Sequence, residues 1–505
     1  MNAIPEDTLT KSISAGQWAL ANTVAQRLLV FGTFFVVARI LTPADFGLIT
    51  LIAIIPTFLD GSTALAFDTA AFQKGNLERY LDVIWTFSIV RGFAIFALVY
   101  LAAPIAASFF HVEYALELLR FAALGVLIQS FVNIGQTYFF KNLDFRSVFF
   151  RDLILKVSYA AATISLAFAL HSYWAIFWGN VISLSAVVIA TYVLHPYRPR
   201  LDFRFGLLGE LRSFSQWLYA QEMVQQLSNT VQDSLVGHYT SPVGVGLFSK
   251  AQSLADAPTA PLISTINKVS FTSYVTVRDS RAHVIEGVNK TFELLVSLAF
   301  PYLVLILLSG TTIVRIALGA GWIAMAPYLK VLAVEATLDV LVNTLSAPVF
   351  NAVGKPRIQF FNSGVRALTL MLAMTILVPL YGIWGAVFAA LISVTVTACF
   401  VLYHLLTVLH LHLRRFAESA FIVALACLVP IPLASSLLKV PFFNSAFGYI
   451  LMALSCGMLY AAIIIVVGRK FRRGPYKTLE LVVRSFLNEK LARKLDFLFV
   501  SKTIA

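Results

Sequence analysis

Charge is scarce in this chain. Only 12% of its 505 residues are Asp, Glu, Lys or Arg, about half the share usual in soluble domains. So little polar material cannot cover a water-exposed surface of this size, which excludes a water-soluble enzyme. Acidic residues are the scarcer kind, 25 against 38 basic ones. Cysteine is almost missing. Cys399, Cys427 and Cys456 sit in apolar runs with no CxxC neighbour. That excludes a disulfide scaffold and reads as buried packing residues. The N-terminus lacks the short apolar region and small-residue cleavage site of a secretory leader, so the first apolar run is expected to be retained.

What the chain has is apolar length. Some 59% of it is hydrophobic, enough for about a dozen bilayer spans at roughly 20 residues each. Fourteen helices are expected, near 15–38, 46–66, 84–107, 115–139, 148–169, 173–194, 214–237, 243–266, 291–317, 324–348, 359–380, 383–407, 417–437 and 445–467. These runs are too long and too evenly apolar for barrel strands. The expected class is therefore an all-α polytopic membrane protein.

Basic residues test that frame. With the N-terminus inside, 28 of the 38 Lys and Arg fall in inside gaps or the tail, eight lie within spans, and only Arg39 and Lys439 lie outside. One missed helix would invert every later gap, so the asymmetry implies an even number of spans with both ends in the cytoplasm. The net charge of +13 is then a membrane signature, and no nucleic-acid partner is implied. Outside gaps such as Leu170-His171-Ser172 are too short to hold a domain. The longest gaps, near 195–213 and 267–290, are inside.

An internal repeat recurs at an offset of 199 residues. Ser14, Gln17, Trp18, Ala21, Gln26, Leu28 and Val37 match Ser213, Gln216, Trp217, Ala220, Gln225, Leu227 and Val236. The match runs on through Thr42, Pro43, Gly47 and Leu48 to Ser241, Pro242, Gly246 and Leu247. The first helix thus recurs as the seventh in the same orientation, a parallel repeat. The expected organisation is an N-lobe over 1–200, a C-lobe over 201–412, two appended helices over 413–468 and a basic cytoplasmic tail over 469–505. Beyond Pro475 the tail spaces Leu479, Val482, Val483, Phe486 and Leu487 helically among basic residues, a pattern suited to an interfacial helix on anionic lipid or to a plain positive-inside tail.

Polar residues inside spans cost roughly 2.5–3.5 kcal/mol each when charged and need a reason. The first helix carries Asn22, Gln26 and Arg27, and the second Asp60. The seventh is the most polar. Glu222, Gln226, Asn229 and Asp233 step by four, three and four, and Gln221, Gln225, Ser228 and Gln232 step beside them. Together they form one broad polar face that must meet water or another polar helix. Lys250 and Asp256 lie in the eighth helix, and Glu335, Asp339 and Asn343 step by four in the tenth. The expectation is a hydrated cavity between the lobes. Asn22, Gln26, Arg27, Gln221, Gln225, Asn229 and Lys250 would contact substrate, with Arg27 as an anion site. Asp60, Glu222, Asp233, Asp256, Glu335 and Asp339 would couple an ion. The competing reading is that these groups pair within one lobe and only hold the bundle together. Arg91, Arg120, Lys156, Arg315, Lys330 and Arg366 are expected to snorkel from span ends.

Searches for enzymatic motifs fail. Gly354-Lys355 is followed by Pro356, so it is no phosphate loop, and Gly244-Val245-Gly246 lacks a third glycine. His404, His410 and His412 have no Cys or carboxylate partner at metal spacing. No cofactor and no metal are expected, and the energy source would be an ion gradient or the substrate gradient.

Four segments carry a family resemblance. They are Arg39-Ile40-Leu41-Thr42-Pro43-Ala44-Asp45-Phe46-Gly47, the run from Gly237 to Lys250, Leu143-Asp144-Phe145-Arg146, and Asn351-Ala352-Val353-Gly354-Lys355-Pro356-Arg357. Together they resemble the polysaccharide transporter family of the multidrug/oligosaccharidyl-lipid/polysaccharide exporter superfamily, over about residues 10–468. The resemblance implies two six-helix bundles around a cavity open alternately to each side. It implies a polyprenyl-diphosphate-linked oligosaccharide substrate, a bacterial inner-membrane location, and polymerase and glycosyltransferase partners. Arg27 looks like the family's anion-contacting arginine and the seventh-helix face like a sugar-contacting wall, although Glu222 and Asp233 depart from a purely cationic cavity. Such a carrier makes physical sense, because a wet path replaces the hydrogen bonds that sugars and diphosphate would lose in hydrocarbon. The alternative is a cation-coupled drug antiporter of the same superfamily. A membrane enzyme is disfavoured by the short outside gaps, and no symmetric pore signature supports a channel.

Overall fold

The structure describes residues 6–471, apart from 64–66, 68–70, 72–76, 113–114, 143, 278–279 and 412. In this computed structural model the described residues form helices joined by short links, without a strand among them. The chain divides into two compact units, Met1–Leu247 and Phe248–Ala505. The first holds α1 (Glu6–Val37), α2 (Pro43–Thr63), α3 (Glu78–Phe109), α4 (Ala115–Ser130), α5 (Thr137–Lys141), α6 (Phe145–Leu170), α7 (Trp174–Leu194), α8 (Gly206–Gly209) and α9 (Arg212–Tyr239). The helix α10 (Pro242–Asp256) crosses the division. The second holds α11 (Thr259–Thr276), α12 (Arg281–Leu318), α13 (Ala326–Ala352), α14 (Pro356–Tyr381), α15 (Ile383–Leu409), α16 (Leu413–Leu428), α17 (Pro430–Leu437) and α18 (Ala446–Phe471).

Among the described residues ten segments are long and apolar enough to cross a membrane, and eleven if the bent pair α4 and α5 counts as one. The helices α9, α10, α11 and α13 are too short or too polar to qualify by themselves, and they are the ones that carry most of the polar positions singled out in the sequence. Leu101, Ile105, Ile189, Val193, Leu368, Ile376, Leu454 and Met458 are all exposed. A bilayer is the solvent in which such surfaces belong. The protein is a multi-pass membrane protein.

The helix expected over 115–139 is broken. It stops at Ser130, bends by 60° and resumes as α5. Asn133 explains the break. Its buried amide oxygen accepts from the Gly135 N–H at 2.9 Å and its NH2 donates to the Tyr197 carbonyl at 2.8 Å. Local bonds of this kind compete with helix continuation. The helix expected over 243–266 is likewise two, divided at Ala257-Pro258, because proline disfavours a helical residue before it and cannot donate to the preceding turn. The inside gap expected over 267–290 is mostly helix, since α11 runs to Thr276 and α12 starts at Arg281. Its polar residues hid it from a hydropathy reading. Only Cys427 is buried, while Cys456 is half-buried and Cys399 is exposed on α15. Among exposed apolar neighbours a thiol serves as another small apolar group. The patterned tail beyond Pro475 lies outside the described residues.

Packing within the first unit sets α1 against α6, α6 against α7, and α9 against α2. In the second, α13 packs on α11, α12 and α15, around Val340, Val349, Phe350 and Leu405.

The two copies of the repeated motif meet. Thr42 caps α2, its N–H and hydroxyl both donating to Asp45 Oδ2 at 2.8 and 2.7 Å, with Pro43 at the first helical position, where its missing N–H costs nothing. The Ser241 hydroxyl caps α10 by accepting from the Gly244 N–H at 3.3 Å, as Thr42 Oγ1 accepts from the Asp45 N–H at 3.4 Å. A Cβ on Gly47 would fall on the Pro242 carbonyl, and one on Gly246 on the Pro43 carbonyl. The contact is reciprocal and backbone to backbone, so nothing soft can yield. Gly47→Ala and Gly246→Ala are each expected to destabilise by about 1–3 kcal/mol, the usual cost of overpacking. Melting of the purified variants at the wild-type midpoint would disprove the close approach.

Candidate functional site

In the first unit, α1 presents Trp18, Asn22 and Gln26 at four-residue steps to α6. Trp18 packs on Phe149, with ring centroids 5.3 Å apart. Below it, Asn22 Nδ2 and Gln26 Nε2 donate to one oxygen of Asp152, at 2.8 and 3.0 Å. The other oxygen accepts from Arg151 Nε and Nη2 at 2.9 and 2.7 Å, and Arg151 Nη1 donates to Gln136 at 2.8 Å. Both Asp152 oxygens are thus taken, and the two amides of α1 are held in one orientation. Sequence reading missed Asp152, because an Arg-Asp pair at the start of a span looks like ordinary interfacial charge. Arg27 is different. It is exposed and has no hydrogen bond or ion pair among the described residues.

In the repeat copy on α9, Gln225 is open where its counterpart Gln26 is held. Asn22 and Gln26 correspond to Gln221 and Gln225. Gln225 donates only to Asn229, at 3.0 Å, and both are exposed. Not all of the expected polar face is open. Gln226 donates to the Thr57 carbonyl at 3.3 Å and lies against Gly61 of α2. Ser228 and Gln232 are buried. The wall is therefore narrower than the sequence suggested, because α2 covers one side of it. Asp233 is half-buried. The side chains of Gln221 and Glu222 lie outside the described residues.

Asp60 is joined to Arg91, with Nη2 to Oδ1 at 2.7 Å, and Arg91 Nη1 also donates to the Asp60 carbonyl at 2.9 Å. Arg91 therefore does not snorkel. A carboxylate one helix away holds it, which a single-helix reading could not see.

The second unit gathers the remaining carboxylates. Arg366 of α14 pairs with Glu335 at 3.3 Å and with Asp339, both on α13. Asn343 Nδ2 donates to the same Asp339 oxygen at 2.7 Å. Asp256, at the end of α10, is within electrostatic reach of both Arg366 and Glu335. The Tyr302 hydroxyl donates to the Ala255 carbonyl at 2.9 Å and fixes that helix end. Two carboxylates thus share one guanidinium with a third nearby, and Glu335 is only 5% exposed. The expectation that Arg366 snorkels is corrected, since it turns into the unit instead of reaching for the interface. Lys250 lies half-buried on the same helix as Asp256. Among the described residues no three His, Cys, Asp or Glu side chains are grouped so as to hold a metal ion.

Helices that cross the bilayer, polar groups concentrated on a few of them and half-buried charge fit a membrane transporter. Comparison with known proteins gives the family. The polysaccharide biosynthesis protein family model matches residues 36–327, and the chain belongs to that family, within the polysaccharide transporter branch that its motifs resemble. The chain is 23% identical over 372 residues to the teichuronic acid biosynthesis protein TuaB of Bacillus subtilis (strain 168), covering 72% of this chain and 76% of that protein. It is 20% identical over 396 residues to the succinoglycan biosynthesis transport protein ExoT of Rhizobium meliloti (strain 1021), covering 78% of each. Among solved structures, the lipid II flippase MurJ in an inward closed conformation shares the fold, with a TM-score of 0.71, 14% identity, 90% of this chain and 100% of that one. An inward-facing multidrug transporter of the MATE family aligns with a TM-score of 0.56 and 14% identity, over 75% of this chain and 93% of that one.

Proposed function

We propose that this protein translocates polyprenyl-diphosphate-linked oligosaccharide repeat units across the bacterial inner membrane, by alternating access coupled to an ion gradient. In this reading it spans the bilayer fourteen times with both ends in the cytoplasm. One observation carries the proposal. Arg27 and the Gln225–Asn229 pair are exposed in the middle of helices that also expose Val24, Leu28, Val30 and Leu227, where hydrocarbon would penalise each of them. Exposed polar groups at that depth belong against water and a hydrophilic cargo. Arg27 meets the diphosphate, amides on α1 and α9 replace hydrogen bonds that the sugars lose, and the prenyl chain stays in lipid. Asp152 holds Asn22 and Gln26 in register for that task. The relatives named for teichuronic acid and succinoglycan support the same substrate class, surface polysaccharide.

Deleting the gene and analysing surface glycan and lipid-linked intermediates tests the proposal. Loss of the surface polymer with repeat units stranded on the inner leaflet is expected. An intact glycan would refute it, and export of a small cation instead would favour the drug-antiporter reading. Coupling is assigned to Asp233 and to the Asp256, Glu335 and Asp339 cluster. Asp233→Asn and Asp256→Asn are expected to change the proton or sodium dependence of transport in vesicles, and unaltered dependence in both would remove them as coupling groups.

A further inference from the structure

Residues 195–205 follow directly on α7 and form a non-helical strap. Its inner side is pinned to the first unit. Tyr197 Oη donates to Asp82 at 2.6 Å, the Arg200 N–H donates to the same oxygen at 2.9 Å, and the Asp202 N–H donates to Thr86 Oγ1 at 2.8 Å. Asn133 holds the Tyr197 carbonyl from the other side. Burial, and then the Asp82 carboxylate, raise the Tyr197 phenol above its ordinary value, so it remains a donor. His195 is stacked on Tyr138, with centroids 5.2 Å apart, and accepts from the Tyr197 N–H at 3.1 Å. That bond needs the ring neutral, and burial lowers the His195 pKa accordingly.

The outer side is basic and apolar together. Arg198, Arg200, Leu201, Phe203 and Arg204 are exposed, Leu201 and Phe203 at 63% each. Three of the nearby acids are already engaged, and exposed Glu78 lies near Tyr138 and Tyr197. Asp202 is bonded to Arg204 at 2.6 Å, Glu210 to Arg79 at 2.9 Å, and Asp82 to the strap itself. Arg198 leans on the His195 and Tyr197 carbonyls but faces no acid, and the Arg200 side chain has no hydrogen bond or ion pair among the described residues. Two guanidinium groups without an ion pair among the described residues thus lie beside two large, mostly exposed apolar side chains. The strap begins one residue past Leu194, where a candidate span ends, which sets it at bilayer-edge height.

We propose that this strap docks on anionic lipid, Arg198 and Arg200 meeting headgroup phosphates while Leu201 and Phe203 enter the glycerol region. Charge complementarity selects an anionic surface, and apolar groups next to the arginines select an interface over a soluble polyanion. Leu201 and Phe203 pay no exposure cost there, and the rigid pinning spares the entropy of ordering a flexible loop.

The test uses full-length protein in nanodiscs, with the native cysteines replaced and a bimane fluorophore on Leu201→Cys. Nitroxide-bearing phosphatidylglycerol and phosphatidylcholine serve as quenchers, and no glycan is present. Nanodiscs offer both leaflets, so the outcome depends neither on transport nor on which side the strap faces. Phosphatidylglycerol is expected to quench several-fold more strongly. Arg200→Gln should reduce that preference by about fivefold, the worth of one basic residue at such a surface. Arg200→Lys should retain it, and high salt should erase it. A preference near one, a preference unmoved by Arg200→Gln, or quenching by aqueous iodide and by neither lipid would overturn the proposal. So would movement of the label only when a polyprenyl diphosphate is added, which would assign the site to substrate.

Discussion

Replacing Arg366 by leucine is expected to cost about 3–5 kcal/mol, because it removes the guanidinium that pairs with Glu335 and Asp339. Glu335, 5% exposed, would be left without its ion pair, with Asp339 and Asp256 close by. The expected readout is a large fall in the thermal midpoint of purified protein and poor monodispersity. Arg366→Lys keeps the charge but loses the planar fork that reaches two carboxylates at once, so it should fall between. The decisive comparison is Arg366→Leu combined with Glu335→Gln and Asp339→Asn. Neutralising the acids removes the unpaired charge, and that triple variant should recover most of the loss, which a simple packing defect would not. If Arg366→Leu melts like the wild type, the cluster does not hold the second unit together.

The same cluster shows what could be read without coordinates. The step of four through Glu335, Asp339 and Asn343 is a property of one helix, and it identified the polar face of α13 directly. Which helix supplies the counter-charge is a property of two. Arg366 and Arg91 were visible as charges in apolar runs, but the partner's position was not, so snorkelling was the economical reading. Asp152 went unseen for the converse reason: its neighbour Arg151 made it look already satisfied, whereas its second oxygen serves α1. Turn chemistry was the other blind spot. Asn133 breaks a helix through bonds to Gly135 and Tyr197, the latter 64 residues away, and no local pattern announces that. The recurrence of Pro43 and Gly47 as Pro242 and Gly246 was legible at once. Its physical meaning, two glycines each seated on the other motif's proline carbonyl, needed the fold.

Arg27→Ala is expected to abolish glycan export while leaving the protein folded and inserted. The two halves of that expectation rest on different physics. Arg27 is exposed and bonded to nothing described, so its removal breaks no pair and opens no cavity, and a change within about 0.5 kcal/mol is anticipated. A guanidinium facing hydrocarbon would behave oppositely, because deleting it would relieve roughly 2.5–3.5 kcal/mol and raise stability. The melting midpoint therefore reports whether Arg27 meets water or lipid, independently of any transport assay. For function the charge matters in a way its neighbours do not. Asn22 and Gln26 are held by Asp152, whereas Arg27 is the free cation beside them, able to take a diphosphate bidentately. Arg27→Lys should then retain partial export, since a point charge still attracts phosphate, and Arg27→Gln should not. Wild-type levels of surface glycan with Arg27→Ala would remove the residue from the path of the head group, and a raised midpoint would place it against the lipid.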